Sequence, residues 1–310
     1  MILFYGEGRL GNQVFQYQAL SSLREGGSLV LAVGLEHLAR VTQLSGPRVR
    51  CLVRNIWLKR GVKYFIVPLL LRPLARLRVL SYAFEPQVGQ PPRRGGDGSI
   101  VLHPGLLRRM IFVDGGYYQG GALWSTLFPP WAMNLQPELR EKARDFLRDA
   151  VGGSPSVPVF VHVRRGDYVT YTGYGLNGLV LPERYYRQAM LEMERRLGPT
   201  HFIFVSDDAE WVTATFADVE RKRIVSFSET LDFAIMAECR AGIVSSSTFS
   251  LAAALLMNQP ELVIAPHYWL GYRVHQWLPA GIRFDHPRIV YIHVADGQES
   301  PAEVAEAGKL

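Results

Sequence analysis

The chain has 310 residues, 48% of them hydrophobic and 20% charged, enough to bury the cores of two medium domains. Its two cysteines, Cys51 and Cys239, exclude a disulfide framework and fit a reducing compartment. The formal net charge of +6 is a modest basic excess, and no helix-turn-helix, zinc-finger or RNP pattern accompanies it, so no nucleic-acid partner is expected.

The stretch from Met1 to Gln13 has no charged segment followed by a long apolar run, and the longest apolar run, residues 64–71, falls far short of the ~20 needed to span a bilayer. A cytosolic chain is expected. In chain order, residues 1–5 read as a strand and 12–24 as a helix opening after a glycine turn. Between His37 and Phe84 there is no Asp or Glu, yet ten Lys and Arg: Arg40, Arg48, Arg50, Arg54, Lys59, Arg60, Lys63, Arg72, Arg76 and Arg78. Apolar stretches interrupt them. Such a segment suits either a solvated basic surface or a peripheral seat on an anionic membrane, here the inner face. A Gly-, Pro- and Arg-rich loop is expected at residues 89–99, and a helix at 135–151 with Glu138, Glu141, Lys142 and Asp145 outward. Gly152-Gly153-Ser154-Pro155-Ser156 then reads as a linker, which divides the chain into domains 1–151 and 152–310.

The second half alternates. Apolar runs at 159–163, 201–205, 223–227, 242–245 and 262–265 read as strands. In residues 183–197, Tyr186, Ala189, Met190, Met193 and Leu197 fall on one helical face, and 249–257 is a second, shorter helix. This alternation predicts an α/β parallel sheet wrapped by helices, with ligands at the carboxyl ends of its strands.

Four motifs sit at such ends. Gly6-Glu7-Gly8-Arg9-Leu10-Gly11-Asn12-Gln13 joins strand to helix, where glycines permit tight turns and a helix N-terminus offers N–H groups to an anion. His162-Val163-Arg164-Arg165-Gly166-Asp167-Tyr168 follows a strand, and its two arginines can make bidentate contacts to a diphosphate. Ser206-Asp207-Asp208 and Ser245-Ser246-Ser247-Thr248-Phe249-Ser250 both enter helices. The plainer readings are a surface salt-bridge cluster for the arginines and helix capping for the last two. No Asp-x-Asp, Walker or Cys/His metal pattern is present, so neither metal nor cofactor is expected and the arginines would carry the diphosphate charge.

Together with Asp114-Gly115-Gly116-Tyr117-Tyr118-Gln119 and Val263-Ile264-Ala265-Pro266, these motifs resemble, in order, those of glycosyltransferase family 11, the α-1,2-fucosyltransferases. The resemblance runs over about residues 6–270. It implies a GT-B-like fold of two Rossmann-like domains facing a cleft, the N-terminal one on the acceptor side. It implies GDP-fucose as donor substrate, inversion at the anomeric carbon, an oligosaccharide or lipid-linked sugar acceptor, and no metal. Carried onto matching positions, it places Arg164 and Arg165 on the diphosphate, Gly11, Asn12 and Gln13 along the cleft, and Ser247, Thr248 and Phe249 beside the phosphates. Asp232 is the acidic residue taken as the partner of guanine. The sequence does not single out a base to take the acceptor proton: Asp167 comes first and His162 second, and Asp167 fits equally as an arginine partner. Three departures stand out: Ser246 where asparagine is usual, Leu251-Ala252 in place of tryptophans, and a tyrosine motif with Tyr118 where a different aromatic is common and with an extra glycine. Other readings stay open, namely a GDP-sugar transferase of another linkage or a GDP-binding membrane-surface protein without catalysis.

Overall fold

In the computed structural model, residues 1–23, 28–44, 49–51, 56–86, 100–121 and 133–294 are described. The expected loop at 89–99, and Arg48 and Arg54 of the basic segment, lie outside them. The chain forms two compact units, Met1–Gln136 with Pro279–Phe284, and Pro137–Leu278 with Asp285–Leu310.

The first unit holds β1 (Ile2–Tyr5), β2 (Val30–Val33), β3 (Thr42–Leu44), β4 (Val49–Cys51), β5 (Leu80–Phe84), β6 (Val101–His103), β7 (Leu107–Val113) and β8 (Met133–Leu135). Six of them form one sheet in the order β4-β2-β1-β7-β5-β6, parallel except for the β5–β6 pair. Strands β3 and β8 pair separately. The helix Leu10–Ser22 follows β1 and is buried over most of its length. A second helical stretch crosses the basic segment as Ile56–Gly61, a π-helix at Val62–Leu71, and Arg72–Arg76. Val62, Val67, Leu71 and Leu74 pack against the core of Tyr5, Leu80 and Phe112. The five-residue step from Val62 to Val67 is the spacing that a π-turn brings onto one face.

The second unit holds β9 (Val157–Val163), the short hairpin β10 (Thr172–Gly173) and β11 (Leu176–Asn177), then β12 (Thr200–Ser206), β13 (Lys222–Val225), β14 (Ala241–Ile243), β15 (Leu262–Pro266) and β16 (Ile289–Ile292). Its sheet runs β13-β12-β9-β14-β15-β16, parallel throughout. From β9 the chain moves outward through β12 and β13, then returns to the other side of β9 for β14, β15 and β16. That order is the doubly wound Rossmann pattern, and its switch point lies between β9 and β14. One face of the sheet packs Val159, Val161, Phe202, Phe204 and Ile264 against Tyr185, Tyr186, Ala189, Met190 and Met193 of the helix Glu183–Leu197. These are near-continuous apolar strands, as a sheet covered on both faces requires.

The domain boundary expected at 151/152 falls instead at Gln136/Pro137. The helix Pro137–Val151 belongs to the second unit, where Arg140 and Arg144 both hold Glu238 on the helix Glu229–Glu238, at 3.1 and 2.6 Å. The glycines of the expected linker end this helix: Gly152 and Gly153 take φ of 61° and 74°, the left-handed region in which helices stop. A helix stop and a domain linker share one composition.

Beside the switch point, Gly242 on β14 faces Phe160 on β9. A Cβ at Gly242 would lie 2.1 Å from Cε1 of that ring, and the ring is fully buried. Gly242→Ala is therefore expected to cost about 1–3 kcal/mol by overpacking, read as a lower melting midpoint in chemical or thermal unfolding.

Candidate functional site

At the carboxyl edge of the second sheet, β9 and β12 end level with one another, Val163 opposite Ser206. Their loops therefore meet. Arg164 sits between two carboxylates, with Nη2 2.5 Å from Asp167 Oδ1 and Nη1 2.6 Å from Asp207 Oδ2. Its guanidinium also lies over the Tyr168 ring, 5.6 Å from the centroid. Arg165 points the other way. Its Nε donates to Asp208 Oδ2 at 2.9 Å, and its guanidinium stacks 4.2 Å over the Trp211 ring. Its backbone N–H donates to Asp207 Oδ1. Asp208 also caps the helix Ala209–Thr215 by accepting from Trp211 N. The hydrogen bonds from the Trp211 N–H and from Arg165 hold its carboxyl below the usual range. So Ser206-Asp207-Asp208 does cap a helix, and it also neutralises both arginines.

Two contacts tie this loop across the switch point. Tyr168 Oη donates to the carbonyl of Ser246 at 3.1 Å. Nδ1 of His162 lies 2.7 Å from Oγ of Ser245, in a buried hydrogen bond. Alternation along β9 directs His162 to the face opposite Val161 and Val163. There its ring meets Phe249, centroids 5.6 Å apart, and Phe249 meets Phe233 at 5.5 Å. Burial, with the Arg164 charge adding to it, pushes the His162 imidazole down to about 3. A buried, neutral histidine this weakly basic supports the loops and is poorly placed to take a proton from an acceptor. Of the two residues expected as base, only Asp167 is exposed, and it is ion-paired to Arg164.

Ser247 is the N-cap of the helix Thr248–Leu256 and accepts from Phe249 N at 3.3 Å. The positive end of this helix thus faces the edge where Arg164 stands. Ser246, the departure from asparagine, is buried and donates to the carbonyl of Trp269. Leu251 and Ala252, in place of tryptophans, are core residues. After β15, Tyr268 and Trp269 hold φ of 64° and 55°, strain of a kind that concentrates at functional loops. Asp232 lies in the first turn of the helix Glu229–Glu238. Its Oδ1 accepts from Phe227 N at 3.1 Å, and burial raises its pKa.

The glycine motif belongs to the first unit and flanks that sheet's own switch point, between β1 and β7. Gln16 bridges the two loops there, donating to the carbonyls of Glu7 and Gly116, both at 2.9 Å. Asn12 accepts from Gln119 Nε2 at 3.0 Å, which joins the glycine motif to the tyrosine motif. Gln13 is fully buried; it donates to Gly8 O and accepts from Leu38 N. It holds the backbone of its loop, and Gly11 beside it is buried too. Of the three, Asn12 alone keeps part of its surface.

The description "Glycosyl transferase family 11" matches residues 117–276, just over half of the 310 residues. The chain belongs to this family. Among similar proteins, an O-antigen biosynthesis glycosyltransferase, WbnK of Escherichia coli, is 33% identical over 116 residues, 36% of this chain and 38% of that protein. Galactoside alpha-(1,2)-fucosyltransferase 2 of Sus scrofa is 34% identical over 138 residues, 42% of this chain and 41% of that protein. The chain thus spans about two fifths of the length of these relatives. A family 9 glycosyl transferase from Veillonella parvula DSM 2008 has a similar fold, with a TM-score of 0.50 over 99% of this chain and 91% of that one at 15% identity. The fold is α/β and GT-B-like, built of two Rossmann-like units.

His162 gives this site an acid sensitivity. Its folded pKa lies below the ordinary value near 6.5, so the unfolded chain binds the extra proton. Its contribution to stability is complete above about pH 6.5 and is lost as pH falls from there toward 3. The slope is at most ~1.4 kcal/mol per pH unit. His162→Gln is expected to flatten the melting temperature between pH 6.5 and 5 relative to the unchanged chain, measured by scanning calorimetry in matched buffers.

Proposed function

We propose that the chain transfers L-fucose from GDP-fucose to a sugar hydroxyl with inversion, as a galactoside α-1,2-fucosyltransferase. The observation that carries this reading is the placement of Arg164 at the switch point of a Rossmann sheet, beside the N-terminus of the helix Thr248–Leu256, in a chain of glycosyl transferase family 11. Relatives named as galactoside fucosyltransferases support the donor and the linkage. A diphosphate at this edge would exchange with Asp167 and Asp207 for the Arg164 fork and meet the helix dipole. As the bond from fucose to phosphate breaks, charge grows on the departing GDP, and Arg164 stabilises it. Ser247, Thr248 and Phe249 shape the phosphate side, and Asp232 is the partner proposed for guanine.

In this reading the base demand is small. The reaction runs through a loose, oxocarbenium-like transition state, and Asp167, released from Arg164 by the diphosphate, takes the acceptor proton. The acceptor is an oligosaccharide or a lipid-linked sugar. The reaction is proposed to need no metal, because guanidinium charge takes the place of a divalent ion. The carboxylates of this edge, Asp167, Asp207 and Asp208, are engaged by Arg164 and Arg165. The proposed location is the cytoplasm, with a peripheral seat on the inner face of the membrane. No helix among the described residues is long and apolar enough to cross one.

Three measurements test this. Calorimetry should show GDP and GDP-fucose binding where UDP does not; equal binding of UDP would remove the guanine assignment. Turnover with a β-galactoside acceptor should persist in excess EDTA, and loss restored by Mn²⁺ or Mg²⁺ would overturn the metal-free route. Arg164→Lys should lower kcat by about 10²–10³, because one point charge cannot reproduce a planar fork on two oxygens. Circular dichroism should be unchanged, and Asp167→Asn should cost less. A folded Arg164→Lys with undiminished kcat would refute the role given to this residue.

A further inference from the structure

The helical stretch from Ile56 to Arg76 buries one face and leaves the other to solvent. Val67 and Ala75 are buried, whereas Tyr64, Phe65, Leu69, Leu70 and Leu77 are 61%, 65%, 71%, 52% and 74% exposed. Leu106, on the neighbouring turn, is 82% exposed. Its backbone N–H donates to the carbonyl of Arg78, which places it beside the turn that carries Leu77. An apolar strip of this extent on a soluble surface marks a docking face.

Beside the strip is a cavity of about 500 Å³ lined by Arg72, Arg76, Arg78, Tyr82, His103 and Asp114. Among the described residues Asp114 is the only carboxylate of the lining, and it is engaged by Arg72 through two bonds of 2.9 and 3.1 Å and by Tyr82 Oη at 3.1 Å. Three guanidiniums against one carboxylate leave a surplus of two positive charges, those of Arg76 and Arg78. On the same helical stretch Lys59 is held by Glu36 and Lys63 by Glu7, so part of the basic run is used within the unit while Arg76 and Arg78 face the cavity. The charges and the apolar strip adjoin on one element: Leu69 and Leu70 precede Arg72, and Leu77 lies between Arg76 and Arg78.

We propose that this cavity binds the phosphate of an anionic membrane lipid while Tyr64, Phe65, Leu69, Leu70 and Leu77 enter the acyl boundary, seating the first unit on a bilayer without spanning it. It specifies the site for the peripheral seat proposed above and is independent of the transfer reaction. A second copy of the chain is disfavoured as occupant. A twofold contact would set the same surplus of arginines against itself, whereas a bilayer rich in anionic headgroups complements both the charge and the apolar strip.

The test is sedimentation of the full chain with vesicles of phosphatidylglycerol and phosphatidylcholine, against vesicles of phosphatidylcholine alone, at low and high salt. The chain should partition onto the anionic vesicles at low salt and leave them at high salt. Arg76→Gln and Arg78→Gln should each weaken partition about fivefold. Leu69→Ser with Leu70→Ser should weaken it at least as much. All are exposed positions, so melting temperature should hold, and so should turnover on a soluble acceptor. Absence of partition, equal partition onto phosphatidylcholine, or insensitivity to both sets of variants overturns the proposal whatever the transfer assay gives. So does a dimer in light scattering that the leucine variants abolish. A chain that sediments as expected but transfers no fucose leaves this site intact and removes the catalytic reading instead.

Discussion

Two arginines in succession at the end of a parallel strand repel one another, and a loop that carries them needs negative partners at fixed positions. The neighbouring strand provides those partners. Because β9 and β12 end in register, Asp207 and Asp208 arrive beside Arg164 and Arg165. Much else at this edge follows from that pairing. Asp208 caps a helix while holding Arg165, and Asp207 binds both the Arg164 side chain and the Arg165 backbone. The loop is then closed against the far side of the switch point by Tyr168 and by the buried bond from His162 to Ser245.

The two sheets solve one problem with different chemistry. Each has a switch point where two loops diverge from adjacent strands, and each binds its loops together with side chains. In the first unit neutral amides bridge the loops, beside the ion pairs of Glu7 with Lys63 and Asp114 with Arg72: Gln16 spans Glu7 and Gly116, Gln119 reaches Asn12, and Gln13 holds Gly8 and Leu38. In the second the bridges are ion pairs and an imidazole. Amides fix a backbone without a net charge, while guanidiniums fix a loop only with carboxylates to balance them.

Much of the second unit was legible in the sequence because its strands are continuous apolar runs and its helix Glu183–Leu197 shows clean 3–4 periodicity. The first unit was less so. The helix Leu10–Ser22 is buried nearly all round, so its glutamines carry no amphipathic signal, and Gln13 read as a lining residue when it is a core one. Strand β7 begins with exposed basic residues and looks polar at its start. The stretch 56–76 hid its geometry in a π-helix, whose five-residue step no 3.6-residue pattern detects. At the site, the two arginines and the Ser247 cap were visible as motifs. The division of labour between the arginines was not, since it depends on carboxylates more than 40 positions away. The registration of two strand ends is a spatial fact, and residue spacing does not carry it.

That division bears on how Arg164 exchanges partners. Arg165 has a carboxylate and an indole face, and a cation stacked on tryptophan at 4.2 Å resists displacement. Arg164 has Asp167, whose side chain is 62% exposed, and Asp207, which is shared with a backbone N–H. Ion pairs that water reaches are each worth about 0–1 kcal/mol, so the diphosphate proposed above, with more charge and better-matched oxygens, would replace them at little cost. The carboxylates keep the guanidinium in place and oriented, and the weakness of their hold leaves it able to turn to a ligand. An indole face at 4.2 Å, as Trp211 gives Arg165, would have fixed Arg164 as firmly and left the edge with no exchangeable cation.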